Sequence, residues 1–392
     1  MIVRTTMTVR TVLFRVHWLL GLTAGLVLAL VGVTGALLSY EEAVTEWANV
    51  DRAFVTVSPA PRLSPSALKA RIEAQRPGLT INSLTLWGDP ERSPRIRFVS
   101  DPKLEARPPT VYLDPVDGRE LGEMRLEDAF ATIRKLHRWL LLPGDGKGWG
   151  RSITGLCTIA LLVLLATGLT LRWPRIHSWR IWLKPSLKRP GRPRWWSLHG
   201  IAGTWLLPLY AAIALTGLWW SYDAYRTAAT WLLTGEIRAA KPGRPPSPAA
   251  QASATALDAA WAAFSAGEGA GAHMALIALP GPDLATIRIR FLATASDLPK
   301  ARDEMTFDPV TGARLSQARF ADKPLGRQMA ENMLEVHRGR FFGGIVAFLF
   351  FTAALSMPLF AVTGLVLYGL RRGARRRRTM AQAPVDARTI GA

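Results

Sequence analysis

Cysteine is nearly absent from this chain. The sole thiol in 392 residues, Cys157, lies inside an apolar run. No intrachain disulfide, no CxxCH attachment of a haem and no cysteine-ligated iron–sulfur cluster can therefore form. Acid is scarce as well, with 29 Asp and Glu against 49 Lys and Arg and a net charge of +20. In a soluble chain that balance would suggest nucleic acid, but here the excess is local. Eight Lys and Arg with no acid lie between Arg172 and Arg194, and six Arg lie in RRGARRRR from Arg371 to Arg378, both beside long apolar runs. Such clusters orient membrane segments and meet anionic lipid favourably, so lipid is the expected partner and nucleic acid is not. No G-x-G-x-x-G follows a plausible strand, which argues against a dinucleotide domain within the chain.

What the sequence has in quantity is uncharged apolar length. Four blocks, Leu19–Tyr40, Ile153–Leu171, Gly200–Tyr222 and Phe341–Leu370, are long enough to cross a bilayer. Arg4, Arg10 and Arg15 precede the first in the manner of a signal peptide, yet that run is too long and lacks a small-x-small cleavage site, so it reads as a retained anchor. The charge pattern puts both termini inside: a basic tail (1–16), span 17–40, an external segment (41–135), a segment with the second span (136–172), a basic internal loop (173–198), span 199–222, a second external segment (223–335), a segment with the fourth span (336–370) and a basic tail (371–392). Pro358 is a candidate kink in the last span.

The external segments read as small α+β modules. Ser64 can cap SPSALKARIEAQ with Pro65 at the first helical position, and INSLTLW, PRIRFVS and TVYLDP alternate like short strands before the turn DPVDG. In the second segment KPGRPPSP reads as a linker, ATALDAAWAAF as a helix, and ATIRIRFLA and EMTFDP as strands, with DPVTG at 308–312 echoing DPVDG at 114–118. Two units of span, external module, histidine and span run in the same orientation, which predicts a pseudo-two-fold axis along the membrane normal.

The histidines follow that plan. His17 and His199 open the first and third spans, each followed by Gly at the fourth position and Thr-Gly at the seventeenth and eighteenth; His137 and His337 precede the second and fourth spans. Pairing by depth gives His17 with His199 and His137 with His337. Paired imidazoles in a helical bundle suit axial ligation of b-type haem, which needs no thioether, and two such haems would carry electrons across the membrane. Helix-end anchoring and a proton relay are the rival readings; zinc, which wants three or four ligands, is less suited. Arg138 and Arg338 directly follow the external histidines and could pair with haem propionates, with Arg15 and Arg194 as inner counterparts. His177 reads as interfacial and His273 as a surface or strand residue of the second module. Each span also carries Thr-Gly, at 34–35, 167–168, 216–217 and 363–364; close helix contact is the simplest account, with clearance for a flat cofactor as the other.

RVHWLLGLTAGL, KLHRWLL with GDGKGWGR, SLHGIAGTWLLPL, EVHRGRFFGG and the two DPV turns together resemble the PepSY-associated transmembrane helix family, iron-regulated membrane proteins that include ferric-siderophore reductases. The resemblance implies an α-helical membrane protein: a four-helix transmembrane bundle from two parallel repeats, carrying two periplasmic PepSY-like α+β modules in the bacterial inner membrane. It also implies a metalloreductase with two non-covalent b-type haems on His17, His137, His199 and His337, a separate cytoplasmic or quinol electron donor, and ferric siderophore as the periplasmic acceptor. The alternative is a PepSY-type membrane regulatory protein whose external modules bind peptide or another protein.

Overall fold

The computed structural model describes residues 8–99, 108–174, 177–236, 252–281, 285–295 and 301–381, with side chains as far as 377. The expected linker KPGRPPSP and the end of the basic tail lie outside the described residues. The chain divides into a helical unit (Met1–Ser39, Thr132–Arg226, His337–Ala392) and a sheet unit (Tyr40–Ala131, Thr227–Val336).

Three helices of the helical unit are long and apolar enough to cross a membrane: Trp149–Arg172, Arg192–Ser221 and Gly344–Arg377. A fourth crossing is made if Val9–Thr23 and Gly25–Ser39, bent by 56°, count as one span. The sequence predicts residues 17–40 as one span. Its bend falls at Ala24 between Gly21 and Gly25, where Thr23 also bonds back to the Leu19 carbonyl (2.9 Å). Both features loosen a helix. The last span breaks at Ser356, two residues before Pro358, which has no N–H to donate. The Ala353 carbonyl at that break accepts from Tyr210 Oη (2.9 Å) and Ser356 Oγ (2.8 Å), so it is satisfied without water. Close helix approach occurs at Gly32, where a Cβ would lie 2.6 Å from the Ala354 carbonyl oxygen.

The sheet unit holds eight antiparallel strands: β1 (Ile81–Trp87), β2 (Arg95–Phe98), β3 (Val111–Leu113), β4 (Glu120–Glu123), β5 (Met274–Ala278), β6 (Ile287–Leu292), β7 (Asp303–Phe307) and β8 (Arg314–Ala318). Their order is β4-β3-β2-β1-β5-β6-β7-β8. Where two modules are expected from the sequence, the two external segments thus contribute to one sheet, joined by β1 against β5 with Leu84 opposite Ile277. A separate four-stranded meander would leave β1 or β5 as an apolar edge, and pairing the two removes both edges. Helices Pro65–Gln75 and Ala254–Ala266 cover one face, packing Leu68, Ile72, Leu257 and Phe264 onto Leu84, Ile96, Ile277, Ile289 and Phe307.

Local chemistry explains the pieces. Ser64 caps the first of these helices by accepting from the Ala67 N–H (3.3 Å), with Pro65 at its first position, and Ser253 caps the second. Ser64 and Ser66 hydroxyls also donate to the Asp258 carboxylate, tying one helix to the other. The DPV turns are alike: Asp114 accepts from Val116 N (2.8 Å), and Asp308 from Val310 N (2.9 Å) and Thr311 N (2.8 Å). Both end on glycine with positive φ, +74° at Gly118 and +73° at Gly312, and a Cβ on Gly312 would sit 2.6 Å from the Ala256 carbonyl oxygen.

Candidate functional site

The helical unit gathers its polar chemistry inside. His17, on Val9–Thr23, and His199, on Arg192–Ser221, face each other edge-to-face with ring centroids 6.2 Å apart. They share a cavity of about 280 Å³ walled largely by apolar side chains, among them Phe14, Tyr210 and Phe360. His137 and His337 lie within electrostatic reach of each other, and Trp220 packs edge-on to His337 at 5.4 Å. The two depth pairs expected from the sequence are the pairs that come together.

Each imidazole is held by the threonine of a Thr-Gly pair on another helix. Nδ1 to Oγ1 distances are 2.9 Å for His17 and Thr167, 3.1 Å for His137 and Thr34, 2.7 Å for His199 and Thr363, and 2.8 Å for His337 and Thr216. Every one of these threonines donates its single hydroxyl proton to the carbonyl four residues earlier, at 2.7 Å (Val163), 2.8 Å (Leu30), 2.6 Å (Leu359) and 2.6 Å (Ala212) respectively. The oxygen is then left to accept, which assigns the ring proton to Nδ1 and leaves Nε2 as the lone-pair nitrogen. His137 Nδ1 also lies 3.0 Å from the Val31 carbonyl, an acceptor only, which requires the same tautomer. The neighbouring glycine makes room for the ring: a Cβ on Gly35, Gly168 or Gly217 would lie 3.0, 3.2 or 3.4 Å from Cε1 of His137, His17 or His337.

Thr34, Thr167, Thr216 and Thr363, for which the sequence suggests close helix contact or clearance for a flat cofactor, are thus the hydrogen-bond partners of the four histidines. Their recurrence once per span was the signal. The close helix approach at Gly32 lies outside the Thr-Gly pairs. The His137 end is set by the turn that follows it. Leu140 and Leu141 take φ of 56° and 57°, and Gly150 is required where a Cβ would meet the Trp139 carbonyl oxygen at 2.0 Å.

The expected arginines are scattered. Arg15 and Arg194 are exposed and absent from the cavity wall, which instead includes Arg172, Arg192 and Arg371. Arg172 is fixed by Thr204 Oγ1 (2.8 Å) and the Ile181 carbonyl (2.7 Å), and Arg371 stacks on Phe14 at 4.2 Å. Arg138 lies over Trp139 at 4.8 Å, and Arg338 is buried at 8% exposure. His177 packs between Trp173 and Trp182.

Among the described residues, no group of three or more His, Cys, Asp or Glu side chains converges in a way that could hold a metal ion. Each depth supplies two imidazoles, each with one nitrogen committed to threonine, and no thiolate or carboxylate joins them. On that finding the metalloreductase activity and the iron and b-type haem assignments are withdrawn; His17, His137, His199 and His337 remain the candidate site residues. The electron donor and the ferric siderophore lose their ground as well. What stands is a set of four partly buried imidazoles of fixed tautomer that cross-link helices.

Comparison with curated proteins gives no match. A family model, by contrast, matches residues 14–371, nearly the whole chain including all four histidines and both external segments, and the chain belongs to the PepSY-associated TM region family.

Proposed function

We propose that this chain is a membrane-anchored regulatory or binding protein whose sheet unit recruits a peptide or another protein. The observation that carries this reading is the inequality of the two sheet edges. At β4 the backbone is covered by side chains: Glu120 N–H donates to Gln75 Oε1 (2.9 Å), Arg52 Nη1 donates to the Glu123 carbonyl, and Arg76 clamps Glu120 and Glu123. At β8 all five residues, Arg314 to Ala318, are exposed. An edge strand that displays its backbone is a ready template for adding an extended segment, with main-chain bonds providing affinity.

In this reading the helical unit serves as the anchor, and the chain as a whole runs as two parallel span–module–span repeats. The basic clusters around 172–194 and 371–378 support cytoplasmic termini in a bacterial inner membrane, with the sheet unit in the periplasm. A photoreactive residue at Leu315 in cells should give a discrete protein adduct, and one at Gly122 on the closed edge should not. Equal adducts from both edges, or none from Leu315, would refute the reading.

A further inference from the structure

The cavity that His17 and His199 share plays no part in the sheet-edge reading, and its wall is sorted by polarity. Its formal charges are three arginines, Arg172, Arg192 and Arg371, with no Asp, Glu or Lys among the described residues of the wall. All three lie toward the end that carries the basic clusters. Arg172 closes the helix Trp149–Arg172, Arg192 opens Arg192–Ser221, and Arg371 follows the apolar part of Met357–Ala381. Arg192, Arg371 and the wall residue Trp196 are exposed, so the cavity reaches the surface at this end.

The arginine charge is uncompensated. None of the three has a carboxylate partner among the described residues. Arg172 donates from Nε to Thr204 Oγ1 and from Nη2 to the Ile181 and Trp182 carbonyls, which fixes the guanidinium and leaves Nη1 free to donate. Gly200, also in the wall, lets that nitrogen come close: a Cβ there would lie 3.0 Å from Nη1. The tautomer set by Thr167 and Thr363 keeps both imidazoles neutral, so the arginines carry all of the charge in the cavity.

Away from its mouth the cavity is apolar and long. Met357 and Arg371 both belong to the wall, and the helix between them advances about 20 Å. Glycine keeps that length open. Gly21, Gly25 and Gly364 line the cavity, and a Cβ on any of them would find nothing within 4 Å. These glycines serve no close helix contact, in contrast to Gly32, and what they contribute is width. Every apolar span supplies part of the wall, so the space lies among the helices and not on the surface that faces lipid.

We infer that this cavity binds a long-chain carboxylate, its hydrocarbon tail between the helices and its head paired with Arg172, with Arg192 and Arg371 adding charge at the mouth. An elongated apolar space with guanidinium groups at its open end suits such a molecule, because a carboxylate matches the planar arginine fork and the tail is removed from water. An enclosed slot suits the single chain of a fatty acid better than the paired chains of a phospholipid.

The test uses the full-length protein in nanodiscs of zwitterionic lipid and, as probe, a palmitic acid analogue with a photoreactive diazirine at its tail end. Peptide mass spectrometry should place the adduct deep in the wall, at Leu28, Tyr210 or Met357. Unlabelled palmitate should compete, and hexadecanol, its uncharged counterpart, should not. Arg172→Gln should weaken the apparent affinity by about tenfold. Gly21→Leu and Gly364→Leu, which fill the cavity, should abolish the adduct, whereas Gly369→Leu, also without a neighbour at Cβ but outside the wall, should leave it unchanged. Far-UV circular dichroism identifies a variant that has failed to fold; if Arg172→Gln is one, the glycine variants decide. Adducts confined to exposed positions such as Leu26 and Ile345, equal labelling by an alcohol analogue, displacement by phosphatidylglycerol but not by palmitate, or labelling unchanged by both cavity-filling variants would each overturn the inference. Crosslinking at Leu315 reads the sheet edge separately, so either proposal can fail alone.

Discussion

In the sheet unit the core between sheet and helices is apolar, with Phe264, Phe307, Ile277 and Ile289 at 1% exposure or less, and arginines alternate with it on β2 and β6. In the helical unit apolar side chains also face outward, Ile345 and Leu26 being 81% and 77% exposed, while Thr34, Thr167 and Thr363, at 5% or less, share the interior with Tyr210, Ala214 and Ala353. The first unit is held by removing apolar area from water, a term that lipid cannot supply between membrane helices. The second relies on close packing and on hydrogen bonds satisfied between helices. One chain therefore folds by two balances, and the same kind of substitution should have unequal effects in the two.

The largest effect is expected in the sheet unit. Phe307→Ala empties a fully buried position and should cost about 3–5 kcal/mol, read as a lower melting temperature of the β signal in circular dichroism. A loss below about 1 kcal/mol would mean that the common core is not what holds the sheet. Next, Thr363→Val keeps the volume at the His199 contact and removes the acceptor, for about 0.6–1.7 kcal/mol by the measured range for interhelical bonds in membranes. Nitrogen chemical shifts of His199 should then lose the fixed Nδ1–H tautomer, and an unchanged tautomer would break the assignment made from the threonines. Ser64→Ala removes a cap that also reaches Asp258, for about 1 kcal/mol, and should loosen the contact between the two sheet-covering helices in amide exchange.

The smallest effect is that of pH. Asp308 is held below the usual carboxylate range by the Thr311 and Val310 N–H groups, and Asp51 by Arg125. A carboxylate with a depressed folded-state pKa contributes stability that is present above its unfolded value, near pH 4, and is lost as pH falls through the folded value. Acid melts of the sheet unit should therefore be flat from neutrality to about pH 5 and decline below it. Asp308→Asn should flatten that decline; a decline of the same size in the variant would remove the turn from the explanation.

Local features were legible at both levels. Ser64 with Pro65, the DPV turns with their glycines, and the alternating runs that became β1, β2, β3, β6 and β7 all follow from residue chemistry within a few positions. β4 and β8 were not visible, because ELGE and RLSQA have no buried face to impose a period of two. The bend at Ala24 was hidden as well, since glycine and threonine permit a bend without requiring it. At the candidate site the histidines and the Thr-Gly pairs were seen as separate repeats; that each His is the partner of a Thr could not be read, because the pairs join helices 103 to 164 residues apart.

By itself the sequence determined the apolar spans, the basic clusters beside them, the four histidines and the short elements of the external segments, all consequences of side-chain polarity and turn chemistry acting over a few residues. Only the tertiary structure decided that two segments form one sheet through β1 and β5 and that its edges differ. It also decided that two imidazoles meet at each depth without a third ligand. Partner choice between distant segments depends on which surfaces bury best together, and no local period carries that information.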